Sequence, residues 1–288
     1  MPEPWSIIVH GGAKTIRPER QDANRRGCLE AVLAGRDVLS QGGAAVDAVV
    51  AAIQALENDP TFNAGYGSVL NADGEIELDA AIMDGSTLDV GAVGAIRGVV
   101  SPIEVARMLL RDEAVLLVGE GALRFAVDKA AQLCNPAALI APQIMADEAS
   151  DTVGCVAMDV TGAIAAGTST GGLSGVRAGR VGDSPIPGCG LYAEDGIGGV
   201  SFSGDGEAIL RLALAGRLMQ DLRNLSPDQG AQEAIRWMPR LAAEAGCIVL
   251  GPRGEPGFAH NSTHFAVALA DHETEPRAFL RREEWNGG

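Results

Sequence analysis

The side chains in this sequence best suited to chemistry are hydroxyls. Thr152 stands near the start of Asp151-Thr152-Val153-Gly154-Cys155-Val156-Ala157-Met158-Asp159, and Thr168-Ser169-Thr170-Gly171-Gly172 follows it. Next come Gly179-Arg180-Val181-Gly182-Asp183-Ser184-Pro185 and Ser203-Gly204-Asp205-Gly206. A threonine hydroxyl is a poor nucleophile without a base beside it. A threonine at a chain N-terminus carries its own base, an α-amino group of unperturbed pKa near ~7.7–8.0. Thr152 is internal, so this chemistry requires a cut between Asp151 and Thr152. The hydroxyl would attack the Asp151 carbonyl, shift the acyl group to oxygen, and leave an ester for water to hydrolyse. Thr152 also fits the start of a buried strand, where β-branched residues are common.

The other clusters have equally clear chemical and structural readings. Thr168, Ser169 and Thr170 could orient a nucleophile, and Gly171 and Gly172 would let backbone approach a ligand; a polar strand end needs the same residues. Arg180 suits a carboxylate and Asp183 an ammonium, so together they would hold a free amino-acid moiety. They could instead pair with each other. Ser203 and Gly204, just before a helix, make an oxyanion hole or a simple helix cap by Ser203 or Asp205. Asn63, in Phe62-Asn63-Ala64-Gly65-Tyr66-Gly67, could hydrogen-bond near the nucleophile or occupy a left-handed turn.

The elements that must position these residues alternate along the chain. Residues 5–10 read as a strand, 21–39 and 44–56 as helices, and 63–74 as a Gly- and Asn-rich loop. Residues 75–83 and 91–97 read as strands, and 102–110 and 121–131 as helices. Residues 135–150, with Pro136 and Pro142, form the best linker and lie directly before the Thr152 block. Strands are expected at 153–159, 163–169, 188–194 and 199–202, and amphipathic helices at 207–223 and 228–245. Residues 247–250, 257–260 and 264–270 close the chain as strands. This mixture in both halves predicts an α/β layered fold.

Bulk composition narrows the function classes. At 288 residues, 47% hydrophobic and 21% charged, the chain is globular and large enough for a substantial core. A net charge of −16 argues against nucleic acid, whose phosphates require Lys and Arg. The sequence holds no apolar run of membrane-spanning length and no signal-like N-terminus, so a cytoplasmic location is the default expectation. Cys28, Cys134, Cys155, Cys189 and Cys247 are odd in number and widely spaced, which favours reduced thiols over a disulfide or zinc framework.

The order and spacing of these motifs resemble the plant-type asparaginases, or isoaspartyl peptidases, of the N-terminal-nucleophile hydrolase superfamily. The likeness runs from Ile7-Ile8-Val9-His10-Gly11-Gly12-Ala13 through Asn63-Ala64-Gly65, Leu78-Asp79-Ala80, Met83-Asp84-Gly85 and Gly119-Glu120-Gly121-Ala122. It continues through the Thr152 block and Gly206-Glu207, and weakly to Asn261-Ser262-Thr263-His264. The resemblance implies one four-layer αββα sandwich over 1–288, self-cleaved into an α subunit (1–151) and a β subunit (152–288) that assemble as a dimer of heterodimers. It implies an isoaspartyl dipeptidase with L-asparaginase activity and no required cofactor. Thr152 would be the nucleophile with Thr170 as its hydroxyl partner, and Asn63 would support it. Ser203 and Gly204 would form the oxyanion hole. Arg180 and Asp183, with Gly204 and Gly206 nearby, would hold the substrate. A structural sodium ion would be bound by backbone carbonyls in the loop 56–66, those of Leu56, Glu57, Asp59, Phe62, Ala64 and Tyr66.

Three departures stand out. Asp151 precedes the nucleophile where plant-type members usually carry glycine, and Asp-Thr at the cut is the pattern of the sister glycosylasparaginases. Ser203 replaces the usual threonine, and the linker looks short. Asp205 stands where other members carry neutral or basic residues, which suggests a preference for basic leaving residues such as β-Asp-Arg. The alternatives are a glycosylasparaginase-like amidase, or an uncleaved homologue that binds amino acids through Arg180 and Asp183.

Overall fold

The computed structural model describes residues 4–141 and 152–285. The Asp151 side of the expected cut, and most of the linker before it, lie outside these residues. Almost fully buried stretches of seven to nine residues make the central strands of the larger sheet. β1 (Ser6–Lys14) is followed by two helices, α1 (Pro18–Ser40) and α2 (Ala45–Asn58). β2 (Leu78–Asp84), β3 (Val90–Ile96), α3 (Pro102–Leu109), β4 (Leu116–Val118) and α4 (Gly119–Asp128) complete the first half. The second half opens with β5 (Thr152–Met158), β6 (Ile164–Thr170), β7 (Leu191–Glu194) and β8 (Gly198–Gly204). Then come α5 (Gly206–Leu212), α6 (Leu214–Asp221), α7 (Pro227–Ile235), β9 (Ala245–Leu250), β10 (Pro256–His260), β11 (His264–Asp271), β12 (Arg277–Phe279) and α8 (Arg282–Trp285).

The strands form an eight-stranded sheet, β12-β11-β1-β5-β6-β2-β3-β4, and a four-stranded sheet, β10-β9-β8-β7. All neighbours are antiparallel except β3 and β4. Side chains alternate between the two faces of a strand, and this divides the core in three. Ile7, Val9, Val153 and Cys155 pack with Val49, Ile53 and Ile103 of α2 and α3 on one face of the large sheet. Ile8, Val156 and Ile164 meet Ile248, Leu250 and Phe258 of the small sheet across its other face. Val200, Phe202 and Val249 of the small sheet pack with Leu218, Ala231 and Ile235 of α6 and α7. The fold is therefore mixed α/β, as the alternation of elements predicts.

Two expected helices differ. The helix predicted over 207–223 breaks at Ala213, which adopts a left-handed conformation (φ 49°, ψ 52°). The break lets Ala215 and Gly216 donate N–H bonds to the carbonyls of Cys189 and Gly188, outside the helix. The helix predicted over 228–245 stops at Ile235, gives one 3-10 turn over Met238–Leu241, and yields to β9 at Ala245. The three-residue edge strands β4 and β12 were not expected, being too short for a period. All five cysteines are free thiols, in line with their spacing. No helix among the described residues is long and apolar enough to cross a membrane.

Candidate active site

The register of the large sheet gathers the chemistry. Thr152 on β5 lies opposite Thr170 on β6, and Thr170 lies opposite Asp79 on β2. Opposed residues share a face. Val153 and Cys155 pack toward the helices, so Thr152, Thr170 and Asp79 face the small sheet. On that sheet Val200 and Phe202 face outward to α6 and α7, so Ser201 and Ser203 of β8 face inward. His10, Gly154 and Thr168 form the next row of the large sheet.

Ser203 Oγ accepts the backbone N–H of Thr152 at 3.3 Å and that of Ala13 at 3.2 Å. A hydroxyl has two acceptor lone pairs and one donor. Both acceptor positions of Ser203 are filled, and its O–H is left to donate. Thr152 Oγ1 lies 3.2 Å from Ser184 Oγ, and the Ser184 carbonyl accepts Thr168 Oγ1 at 2.6 Å. His10 Nε2 lies 2.9 Å from Ser201 Oγ. Burial pushes the His10 pKa down to about 3, which keeps the imidazole neutral.

Thr152, Thr170, Arg180, Asp183, Gly204 and Gly206 line one cleft. Arg180 does not pair with Asp183, the alternative its spacing left open. Its Nε and Nη2 instead bind the two oxygens of Glu207, each at 2.8 Å. Asp183 is buried, and its Oδ2 has no hydrogen-bond partner. Burial pushes its pKa up to about 7; Arg180 lowers it, while Asp79 and Glu207 raise it. An orphaned buried carboxylate oxygen is costly, and a ligand ammonium would satisfy it. Gly206 makes the space: a β-carbon there would lie 2.7 Å from Asp183 Oδ1 and 2.8 Å from Arg180 Nη2. The Arg180 guanidinium and the Asp183 carboxyl thus converge beside Thr152.

A family model described as asparaginase matches residues 3–147 and 140–280. The chain belongs to the asparaginase family. An isoaspartyl peptidase/L-asparaginase of Danio rerio is 37% identical, over 94% of this chain and 97% of its own. A protein of the same name from Rattus norvegicus is 40% identical, over 86% and 81%. A plant-type L-asparaginase of Pyrococcus abyssi is 41% identical, over 95% and 99%.

Within this asparaginase fold, the remaining predicted residues take varied places. The hydrogen bonds of Asn63 run to the chain beside Thr170 and to its own loop. Its Oδ1 accepts Val69 N at 3.0 Å, its Nδ2 donates to the Gly172 carbonyl at 2.7 Å, and its own carbonyl accepts Gly171 N at 2.8 Å. It pins the turn after Thr170, and its φ is not left-handed. Asp205 is exposed and caps α5, accepting Ala208 N at 3.1 Å. It does not line the cleft, although its neighbours Gly204 and Gly206 do. In the loop 56–66, the carbonyls of Leu56, Glu57 and Asp59 accept N–H bonds from Asp59, Tyr66 and Phe62 at 3.3, 2.7 and 3.1 Å. The Glu57 side chain is buried and accepts Ser101 Oγ at 2.5 Å, Ser169 Oγ at 2.7 Å and Ile103 N at 3.0 Å. Desolvation pushes its pKa up to about 7 against those bonds.

Sequence reasoning did not single out Ser184, His10, Ser201, Asp79 or Glu207. Two of them had a readable signal. Asp79 is a charge inside the apolar run Leu78-Asp79-Ala80-Ala81-Ile82-Met83, and Ser184 adjoins Asp183. His10, Ser201 and Glu207 become meaningful only once β1, β8 and the Arg180 loop meet.

Proposed function

We propose that this protein is an isoaspartyl peptidase with L-asparaginase activity, acting through Thr152 as an N-terminal nucleophile. The observation that carries this reading is the convergence of Arg180 and the unpartnered Asp183 Oδ2 on a cleft that also holds Thr152 Oγ1. The three packed cores support a four-layer αββα sandwich of the N-terminal-nucleophile type. In maturation, Thr152 Oγ1 attacks the Asp151 carbonyl, the Asp151–Thr152 C–N bond breaks, and water hydrolyses the resulting ester. The products are chains 1–151 and 152–288, which we read as assembling into a dimer of heterodimers in the cytoplasm.

In turnover, Arg180 binds the substrate α-carboxylate and Asp183 its α-ammonium, which presents the β-carbonyl to Thr152. The freed α-amino group takes the Thr152 hydroxyl proton as Oγ1 bonds to the carbon of the β-carbonyl group and its C=O π bond opens onto oxygen. Negative charge on the former carbonyl oxygen meets the Ser203 O–H and the backbone of Gly204. The tetrahedral intermediate collapses, and the amine leaves with the proton held by the α-ammonium. Water then hydrolyses the β-aspartyl ester and releases aspartate. Thr170 supports Thr152 from the adjoining strand. A sodium ion would use the free lone pairs of the loop 56–66 carbonyls (Leu56, Glu57, Asp59, Phe62, Ala64, Tyr66) and supply no chemistry beyond fixing the loop that carries Asn63.

Purified protein is expected to run as two fragments near half-length, with intact masses placing the cut before Thr152, and to release aspartate from β-aspartyl dipeptides and asparagine. The Thr152→Ala variant is expected to stay full-length and inactive. An active Thr152→Ala enzyme, or turnover of GlcNAc-asparagine alone, would replace this reading.

A further inference from the structure

The clamp rides on a segment with no ladder of its own. Between β6 and β7 the chain runs through turns and bends that carry Arg180 and Asp183 without a regular strand or helix. A loop of this length cannot hold two charged groups in register by itself, so its anchors decide where the clamp sits. Two acids provide them, Glu77 just before β2 and Asp79 inside it. Glu77 Oε2 accepts the N–H of Gly179 at 2.8 Å, and Asp79 Oδ2 accepts the N–H of Gly182 at 3.4 Å. The two bonds bracket Arg180 and end one residue short of Asp183.

Both anchors are themselves tied down. Glu77 Oε1 accepts Arg97 Nη2 at 2.6 Å and Nε at 3.2 Å, and its Oε2 also accepts Asn71 Nδ2 at 3.1 Å. Asp79 is buried, and its Oδ1 accepts Ala95 N at 2.7 Å. Two backbone bonds, Ala72 N to the Val176 carbonyl at 2.7 Å and Gly175 N to the Leu70 carbonyl at 2.9 Å, lace the flanking chain segments together. The β-sheet register then ties this anchoring to the nucleophile, because Asp79 opposes Thr170 and Thr170 opposes Thr152.

We propose that Glu77 and Asp79 are positioning residues for substrate recognition: they fix the Arg180–Asp183 loop at a set height and orientation over Thr152. This rests on the reading of Arg180 and Asp183 as the substrate clamp. An uncharged isostere removes half of each grip. Asn at position 79 accepts through one oxygen only and turns an NH2 toward the other N–H. Gln at position 77 does the same between Arg97 and Gly179. Neither side chain hydrogen-bonds to Thr152 or Ser203.

The test compares wild type, Asp79→Asn and Glu77→Gln for self-cleavage, Tm, steady-state kinetics on a β-aspartyl dipeptide, and L-aspartate binding by calorimetry. Both variants are expected to mature into two fragments. KM and the aspartate Kd should rise about tenfold while kcat changes less than about threefold, the size expected for losing one charge-assisted hydrogen bond used in binding. Unchanged KM and Kd in both variants would overturn the proposal. So would a joint fall in cleavage, Tm and kcat, or a failure of both variants to fold, since each marks a merely structural role. If Asp79→Asn alone fails to fold, the partly exposed Glu77→Gln decides. A wild type that neither cleaves β-aspartyl substrates nor binds aspartate refutes the clamp reading itself, whatever the variants do.

Discussion

Ser203 carries a hydroxyl without the methyl that the family resemblance leads one to expect, and a serine hydroxyl rotates more freely than a threonine one. Here the oxygen is held from outside. The N–H groups of Ala13 and Thr152 fill its acceptor positions, so the hydrogen has one useful direction left. Two hydrogen bonds stand in for the lost methyl, one from the Ala13 amide and one from Thr152 N, which the proposed cut would turn into the α-amino group. Removing one oxyanion donor typically costs about 10²–10³ in kcat. Matured Ser203→Ala is therefore expected to lose kcat on asparagine by that order with KM little changed, while Ser203→Thr stays within about threefold of wild type. Wild-type kcat in matured Ser203→Ala would remove Ser203 from the oxyanion hole. Asp205 is a weaker case by the same kind of reasoning. One oxygen caps α5 and the residue is exposed, and exposed ion pairs are worth about 0.2–1 kcal/mol. Any preference for β-Asp-Arg over β-Asp-Leu through Asp205 should thus be no more than about fivefold in kcat/KM. It should vanish in Asp205→Ala; a preference that survives that change comes from elsewhere.

At the scale of elements, the sequence was legible where short-range physics decides. Alternation and turn residues locate β1, β2, β3, β5, β6 and β11 to within a few residues of their observed bounds. The cluster at Thr168, Ser169 and Thr170 could be seen, but not that its faces divide the labour. Thr168 and Thr170 face the small sheet, while Ser169 turns the other way to bind Glu57. What stayed hidden depends on partners far away in the chain. α2 has no capping side chain at Ala44; its Ala45 N–H is satisfied by Asp159 Oδ2 at 3.1 Å. α3 likewise uses Glu57 from α2, which accepts Ile103 N. No local signal announces either cap. Arg180 shows the same limit in the site: spacing suggested Asp183 as its ion partner, and tertiary packing delivered Glu207. The break at Ala213 is similar, since the carbonyls of Gly188 and Cys189 that receive the next N–H groups belong to another segment. Local propensity gave the helix, and tertiary hydrogen bonds cut it in two.

The whole molecule sets the electrostatic setting of the proposed clamp. The chain carries −16 at neutral pH, and the clamp concentrates acid further. Asp183 from the loop, Asp79 from β2 and Glu207 from α5 share Arg180 among them. Burial raises Asp79 to about 6 and Asp183 to about 7, whereas the Arg180 fork holds Glu207 below its ordinary value. In the unfolded chain Asp183 would titrate near ~3.9. Its folded pKa is higher, so the native state binds more protons between those values and stability falls as pH rises through that window. Below about pH 4 the group is protonated in both states and the cost disappears. Ammonium binding has the opposite demand, because it needs the ionised carboxylate. Substrate affinity should therefore climb with pH and level off above about 7. Replacing Asp183 by Asn separates the two demands. Asp183→Asn is expected to melt several degrees above wild type at pH 8, with the gap closing toward pH 4. Its aspartate Kd should be far weaker than wild type at pH 8 and should no longer follow the Asp183 titration. Thermal melts and calorimetry across pH 4–8 read both quantities on the same samples. A variant less stable than wild type at pH 8 would mean that Asp183 is paired within the fold. A Kd with the wild-type pH dependence would move ammonium recognition to another acid of the clamp.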